Sequence, residues 1–146
     1  VLADGLAYAK ATCDAAAAVS VATLTGTAIH ATGVEIAAVI AREQHVADEL
    51  LAASSRCTDR LWQLPRVPEY QFLLKSGIAD MTNRSEAPAA TAFAALFLES
   101  FVGDIPFAHI DMAAVATRDR DTPEGPAGGR GWGVELLVEY ATSFGA

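Results

Sequence analysis

This chain is poor in the residues that most often announce a function. It has 2 cysteines in 146 residues, Cys13 and Cys57, too few and too isolated for a disulfide framework or a cysteine-rich zinc site. Both are expected to be reduced thiols. No apolar run approaches the roughly 20 residues needed to cross a bilayer. The first residues include Asp4 and no basic leader, so a signal peptide is not expected. Basic residues are scarce as well: 10 Lys and Arg face 18 Asp and Glu, a net charge of −8 with no basic run. Phosphate backbones need clustered cations, so a general nucleic-acid role is disfavoured. The expected setting is the cytoplasm, with no membrane partner.

The motif inventory is equally thin. Three histidines, His30, His45 and His109, form no His-x-x-x-His pair, and neither Cys-x-x-Cys nor HExxH occurs. Gly-x-Ser-x-Gly is absent, and neither cysteine has a base beside it in sequence. The run Gly125 to Gly133 precedes a helical pattern but lacks the Lys-Ser/Thr pair of a phosphate loop. It reads as a loop that lets a helix N-terminus approach another backbone.

What is present is a layered pattern. The hydrophobic fraction of 52% includes 31 alanines, so the core is built from close-packed backbones with scattered larger side chains. Leu2, Leu6 and Ala9 recur at helical spacing to about residue 12. Strands are expected at Val19 to Leu24, Val34 to Ile40, Leu61 to Leu64 and Phe107 to Val115, with a further extended piece at Ile78 to Met81. Helices are expected around Val46, Leu50 and Leu51, from Pro68 through Leu74, and along Phe93, Leu96, Phe97 and Phe101. Val134, Leu137, Val138 and Ala141 are expected to form a closing helix. Strands alternating with helices indicate an α/β fold with the sheet covered on both sides.

Two places can hold polar chemistry. His109 and Asp111 are two apart on an expected strand and share a face. With only two ligands converging, they read as a buried polar pair hydrogen-bonded to its surroundings. The turn Thr23-Leu24-Thr25-Gly26 ends a strand at a glycine, so its N–H and C=O groups lie at the sheet edge where α/β proteins bind ligands. On these residues alone it reads as a structural turn, since such turns are common without ligands.

A series of segments changes that reading. Val21-Ala22-Thr23-Leu24-Thr25-Gly26 is followed by Asp59-Arg60-Leu61-Trp62-Gln63-Leu64-Pro65, then by Ile78-Ala79-Asp80-Met81-Thr82-Asn83 and Ala108-His109-Ile110-Asp111. Their order and spacing resemble the C-terminal part of the leucyl aminopeptidase (cytosol aminopeptidase) family, over nearly the whole chain. The resemblance implies a mixed β-sheet between helical layers, a three-layer α-β-α partial catalytic domain, with residues 1–146 as its C-terminal segment.

It also implies a function. These enzymes remove N-terminal residues from peptides with two divalent metals, Mn or Zn, and assemble as hexamers. Two of the metal-binding carboxylates and the catalytic arginine lie in an Asn-Thr-Asp-Ala-Glu-Gly-Arg-Leu segment expected to precede Val1. No catalytic or metal-binding residue is therefore carried over, and no metal is expected on this chain alone. The peptide-holding positions are carried over. Leu24 and Gly26 match main-chain contacts to the substrate, and Thr23, Ala113 and Ala116 match the wall around the N-terminal side chain. Ala116 falls where some members carry Met, which would leave the pocket wider.

The implied partners are a peptide, the upstream part of the same protein and further copies of it. The chain departs from the family at Arg84 to Ala90, which replace a glycine-rich run, and at Ala114, which replaces a glycine. The competing expectation is a non-enzymatic assembly or regulatory module that kept the fold without metals. A small-molecule binding domain built on the Thr23 turn alone is a third.

Overall fold

The computed structural model describes residues 1–144. Four strands form one mixed sheet in the order β1-β4-β2-β3, with β1 at Ala18–Ala22, β2 at Ala37–Ala41, β3 at Leu61–Gln63 and β4 at Phe107–Asp111. β4 runs parallel to β1 and antiparallel to β2, while β2 and β3 are parallel. β2 and β4 are buried along their whole length, as inner strands covered on both faces must be.

Side-chain alternation sorts the layers. Ala108 and Ile110 of β4, with Ala37, Val39 and Ala41 of β2, face a core shared with Val46, Leu50 and Ala53 of α3 (Gln44–Ser54) and Leu136 and Tyr140 of α5 (Val134–Ser143). Phe107 faces the other way, toward Leu6 of α1 (Leu2–Thr12) and Leu98 of α4 (Ala90–Glu99). The short α2 (Gly26–Thr32) packs beside α4 and β2 on that side. Helices thus lie on both faces of the sheet, the three-layer α/β arrangement expected. Alanines supply much of the packing: Ala28, Ala37, Ala47, Ala53 and Ala108 are fully buried, so layers meet at backbone distance.

Several local expectations are corrected. Ile78 to Met81 forms no strand, and Ile78 is fully exposed in a loop held by Ser76 Oγ, which accepts the N–H groups of Ile78 and Ala79. An extended segment needs a neighbouring ladder, and none reaches it. The expected second strand begins three residues late, because Val34 and Glu35 are exposed beyond the Gly33 cap of α2. β4 ends at Asp111, and residues 112–115 make a helical turn closed by Val115 N–H and Ala116 N–H on the Met112 carbonyl. Pro68–Leu74 is a 3₁₀ segment, anchored to α4 by the two-pronged pair of Arg66 with Glu99 at 2.8 and 2.6 Å.

The closing helix is present as α5. Leu136 and Tyr140 face the core, while Val134, Leu137, Val138 and Ala141 are exposed. The glycine run before it is not all loop, since Gly128–Gly129 pairs antiparallel with Thr117–Arg118, and the phosphate reading fails there: Gly133 N–H and Leu136 N–H are both taken by Asp59 Oδ2, at 3.0 and 3.2 Å.

Candidate substrate-holding site

β1 and β4 are parallel, so their carboxyl ends finish side by side, at Ala22 and Asp111. The ladder continues one bond further, Met112 N–H donating to the Ala22 carbonyl at 2.9 Å. Both chains then turn. Thr23 to Thr25 leads into α2, and residues 112–116 curl back over the sheet edge. Topology alone therefore brings the Thr23 turn next to Ala113.

Asp111 ties them together. Its side chain is wholly buried, and four donors converge on its two oxygens. Oδ1 accepts Leu24 N–H at 3.1 Å and Ala113 N–H at 3.2 Å. Oδ2 accepts Thr25 N–H at 2.9 Å and the Thr25 hydroxyl at 2.6 Å. A carboxylate offers about four lone-pair sites, so this acceptor is filled.

Hydroxyls extend the network. Thr25 Oγ1 has donated its one proton to Asp111, so it accepts from Thr91 Oγ1 at 2.8 Å. Thr91 in turn accepts from Thr27 Oγ1 at 2.7 Å. The chain of donors runs from α2 through α4 to the strand end.

His109 shares the Asp111 face, as its spacing predicts, but the two do not bond to each other. His109 Nδ1 pairs with Ser20 Oγ across the β1–β4 ladder at 2.8 Å. Nε2 is buried without a partner among the described residues. Burial pushes the imidazole below its ordinary value; nearby Asp111 and the Ser20 bond oppose this without reversing it. A nearly inaccessible neutral imidazole beside a buried serine is a structural pair.

Each position singled out from the sequence can now be located. Thr23, Leu24 and Gly26 are exposed at the strand end, and Ala113 and Ala116 are half-buried beside it. Leu24 and Thr25 border a cavity of about 560 Å³ whose floor is Phe93, Ala94 and Phe97 of α4. Ala113 borders a second cavity, of about 610 Å³, with Ile29 and Val34. Arg84 reaches the rim of the first cavity and pairs with Glu86 at 3.1 Å in solvent. Gly26 has no positive φ, and a Cβ built there meets nothing within 4 Å. Neither backbone conformation nor neighbouring atoms require glycine at this position. Leu24 C=O and Gly26 N–H make no backbone bond among the described residues.

Sequence reasoning missed the role of Asp111 and Thr91. The available signal was an Asp closing a strand parallel to the one that opens the turn, which puts a carboxylate beside the turn's amides.

One group among the described residues has three metal-type ligands, Cys57, Asp59 and Glu135, with atoms within 4.8 Å of one another. It does not fit a two-metal site. Asp59 Oδ2 caps α5, and Glu135 Oε2 accepts the N–H and hydroxyl of Thr58 at 3.1 and 2.8 Å. Burial, reinforced by the two carboxylates, pushes the Cys57 thiol up and disfavours the thiolate. The group also lies by β3, at the far side of the sheet from the turn. No helix of the described residues is long and apolar enough to cross a membrane.

Comparison with known proteins agrees with this architecture. The family described as "Cytosol aminopeptidase family, catalytic domain" matches residues 1–138. A probable cytosol aminopeptidase of Syntrophotalea carbinolica is 44% identical over 139 residues, covering 95% of this chain and 28% of the relative. One from Nostoc punctiforme is 39% identical over 145 residues, covering 99% of this chain and 29% of the relative. Among solved structures, the bottromycin maturation enzyme BotP in complex with Mn superposes with a TM-score of 0.93 at 36% identity, covering 99% of this chain and 33% of that one. A tomato leucine aminopeptidase mutant gives 0.88 at 31% identity, over 97% and 27%. The chain thus spans under a third of the length of the curated relatives it matches.

Proposed function

Because the chain belongs to the cytosol aminopeptidase family, we propose that it forms the peptide-holding wall of a metal-dependent aminopeptidase that removes N-terminal residues from peptides. The observation that carries this reading is the turn itself. Leu24 C=O and Gly26 N–H, at the carboxyl end of β1, make no backbone bond among the described residues, and the glycine has no local conformational reason to be glycine. One acceptor and one donor two residues apart suit the backbone of an extended peptide, the pairing a sheet edge offers. Thr23, Ala113 and Ala116 border the N-terminal side chain of that peptide, and the small Ala116 leaves room for a large one.

The hydrolytic step belongs to residues outside these 146. The metals, Mn or Zn in the family, would polarise the scissile carbonyl and activate water. The described residues offer no fitting set for them, so this chain's own contribution is to hold and orient the substrate. Partners are then a peptide, the rest of the same protein and further copies of it, a hexamer in the family. A cytoplasmic location follows the naming of the relatives.

The test exchanges segments. The chain replaces its counterpart in the Syntrophotalea carbinolica relative, and hydrolysis of a leucyl peptide is measured with Mn²⁺. The expected result is an active, metal-dependent hybrid, while the purified 146-residue chain alone hydrolyses nothing. A folded, metal-loaded hybrid without activity would favour the assembly or regulatory module. Hydrolysis by the isolated chain would overturn the assignment.

A further inference from the structure

Asp111 is wholly buried, and no Lys or Arg bridges it among the described residues. A buried carboxylate without a cation is costly to keep unless hydrogen bonds replace its hydration. Here the replacement comes from the two segments that meet at the sheet edge. Oδ1 bridges Leu24 N–H and Ala113 N–H, and Oδ2 takes Thr25 N–H and Thr25 Oγ1. A tight turn needs no such anchor, because turns close with their own backbone bonds. One carboxylate therefore sets the spacing between the turn and the opposite wall.

The same bonds decide which groups remain for a ligand. Leu24 and Thr25 have given their N–H groups to Asp111, so they are not donors to a peptide. With both amides drawn inward, the Leu24 carbonyl and the Gly26 N–H stay unpartnered among the described residues.

We propose that Asp111 is the positioning residue of the substrate-holding turn: it fixes Leu24 and Thr25 against Ala113 so that Leu24 C=O and Gly26 N–H present a preset acceptor–donor pair to a peptide backbone. This rests on the reading of the turn as peptide-holding. Thr25 Oγ1, fed by Thr91 and Thr27, is the second point of attachment, and it couples the turn to α4. Asp111 touches no substrate in this scheme and acts through the turn.

The experiment is amide-resolved NMR on the 146-residue chain, wild type against Asp111→Asn, Thr25→Val and Thr25→Ser, followed by titration with a leucyl dipeptide amide. In the wild type, Leu24, Thr25 and Ala113 amides are expected to exchange slowly and Gly26 rapidly, with the dipeptide shifting the Gly26 resonance. Asp111→Asn is expected to speed exchange of those three amides at least tenfold, leave the ladder amides of Ser20 and Ile110 protected, and weaken the dipeptide's effect at Gly26 at least tenfold. Thr25→Val weakens binding at Gly26 less, and Thr25→Ser, which keeps the hydroxyl, restores it. Should Asp111→Asn fail to fold, the Thr25 pair alone decides. Unchanged protection of Leu24 and Thr25, or equal dipeptide affinity in Thr25→Val and Thr25→Ser, would overturn the role of Asp111. A dipeptide that never perturbs wild-type Gly26, with the amide pattern as expected, would instead remove the peptide-holding reading and with it the meaning of the positioning.

Discussion

Asp59 caps a helix that begins 75 residues later, at Val134: its Oδ2 accepts Gly133 N–H at 3.0 Å, and Leu136 N–H at 3.2 Å, in the interior. The first amides of any helix lack intrahelical partners, and a carboxylate there also meets the positive end of the helix dipole. A residue two positions before β3 thereby holds α5 on the sheet.

Asp59→Ala is expected to leave two interior N–H groups unpaired, at a cost of about 1–3 kcal/mol. Urea unfolding followed by circular dichroism measures it. Asp59→Asn, which keeps one acceptor oxygen, is expected to lose less. An Asp59→Ala midpoint equal to wild type would show that water replaces the cap.

The sheet was legible from sequence where burial is two-sided. The continuous apolar runs ending at Ile40 and beginning at Phe107 mark β2 and β4, the two inner strands. The helix around Phe93, Leu96 and Phe97 was legible from their i, i+3, i+4 spacing, and α4 is present at Ala90–Glu99. Two things were not. Ile78 to Met81 reads as extended locally but has no ladder, and ladders are long-range facts that local composition does not encode. The helix after Gly133 carries two apolar stripes, Leu136 with Tyr140 and Val134 with Leu137, Val138 and Ala141. Periodicity marks the helix but not which stripe is buried, and the Asp59 cap holds α5 with the narrower one toward the core. At the site, the turn was legible from its glycine and its family likeness. Its anchor was not, because Asp111 lies 86 residues from Thr25 and only the β1–β4 register joins them.

Stability is expected to depend on pH through His109. Burial holds its folded value below the ordinary 6.5 or so, and so favours the neutral imidazole. The sign follows. The unfolded chain takes up the proton first as pH falls, so this contribution is complete above about 6.5 and is lost as pH drops through that value toward the folded one. The charged ring would also hold an Nε2–H donor that has no partner among the described residues. Comparing urea midpoints at pH 7.5 and 5.5, wild type is expected to drop more than His109→Gln. Equal drops would mean that His109 is not the titrating group.

The outward stripe of α5 predicts self-association of the isolated chain. Val134 is 64% exposed and Val138 57%, with Leu137 beside them. β1 is meanwhile an edge strand with one neighbour. Contiguous apolar surface and open edges both promote contact between copies. Sedimentation velocity from micromolar to millimolar concentration is expected to show growing species, reduced by Val138→Lys, whose exposed position makes it nearly neutral for stability. A monomer throughout would argue that neither surface is sticky enough to need cover.

Gly26 separates folding from function most cleanly. It is the first residue of α2, its φ is not positive, and an added Cβ meets nothing within 4 Å. Gly26→Ala is therefore expected to leave stability unchanged or raise it by up to about 1 kcal/mol, through a less flexible unfolded chain. In the hybrid enzyme the same methyl group would crowd the approach to the Gly26 N–H, and leucyl-peptide hydrolysis is expected to fall tenfold or more, with larger losses for Gly26→Val. Ala116→Met is the companion variant: it narrows the wall, so it is expected to lower kcat/KM for bulky N-terminal residues more than for alanine. A Gly26→Ala hybrid that is both as stable and as active as its parent would mean that nothing binds closely at this glycine.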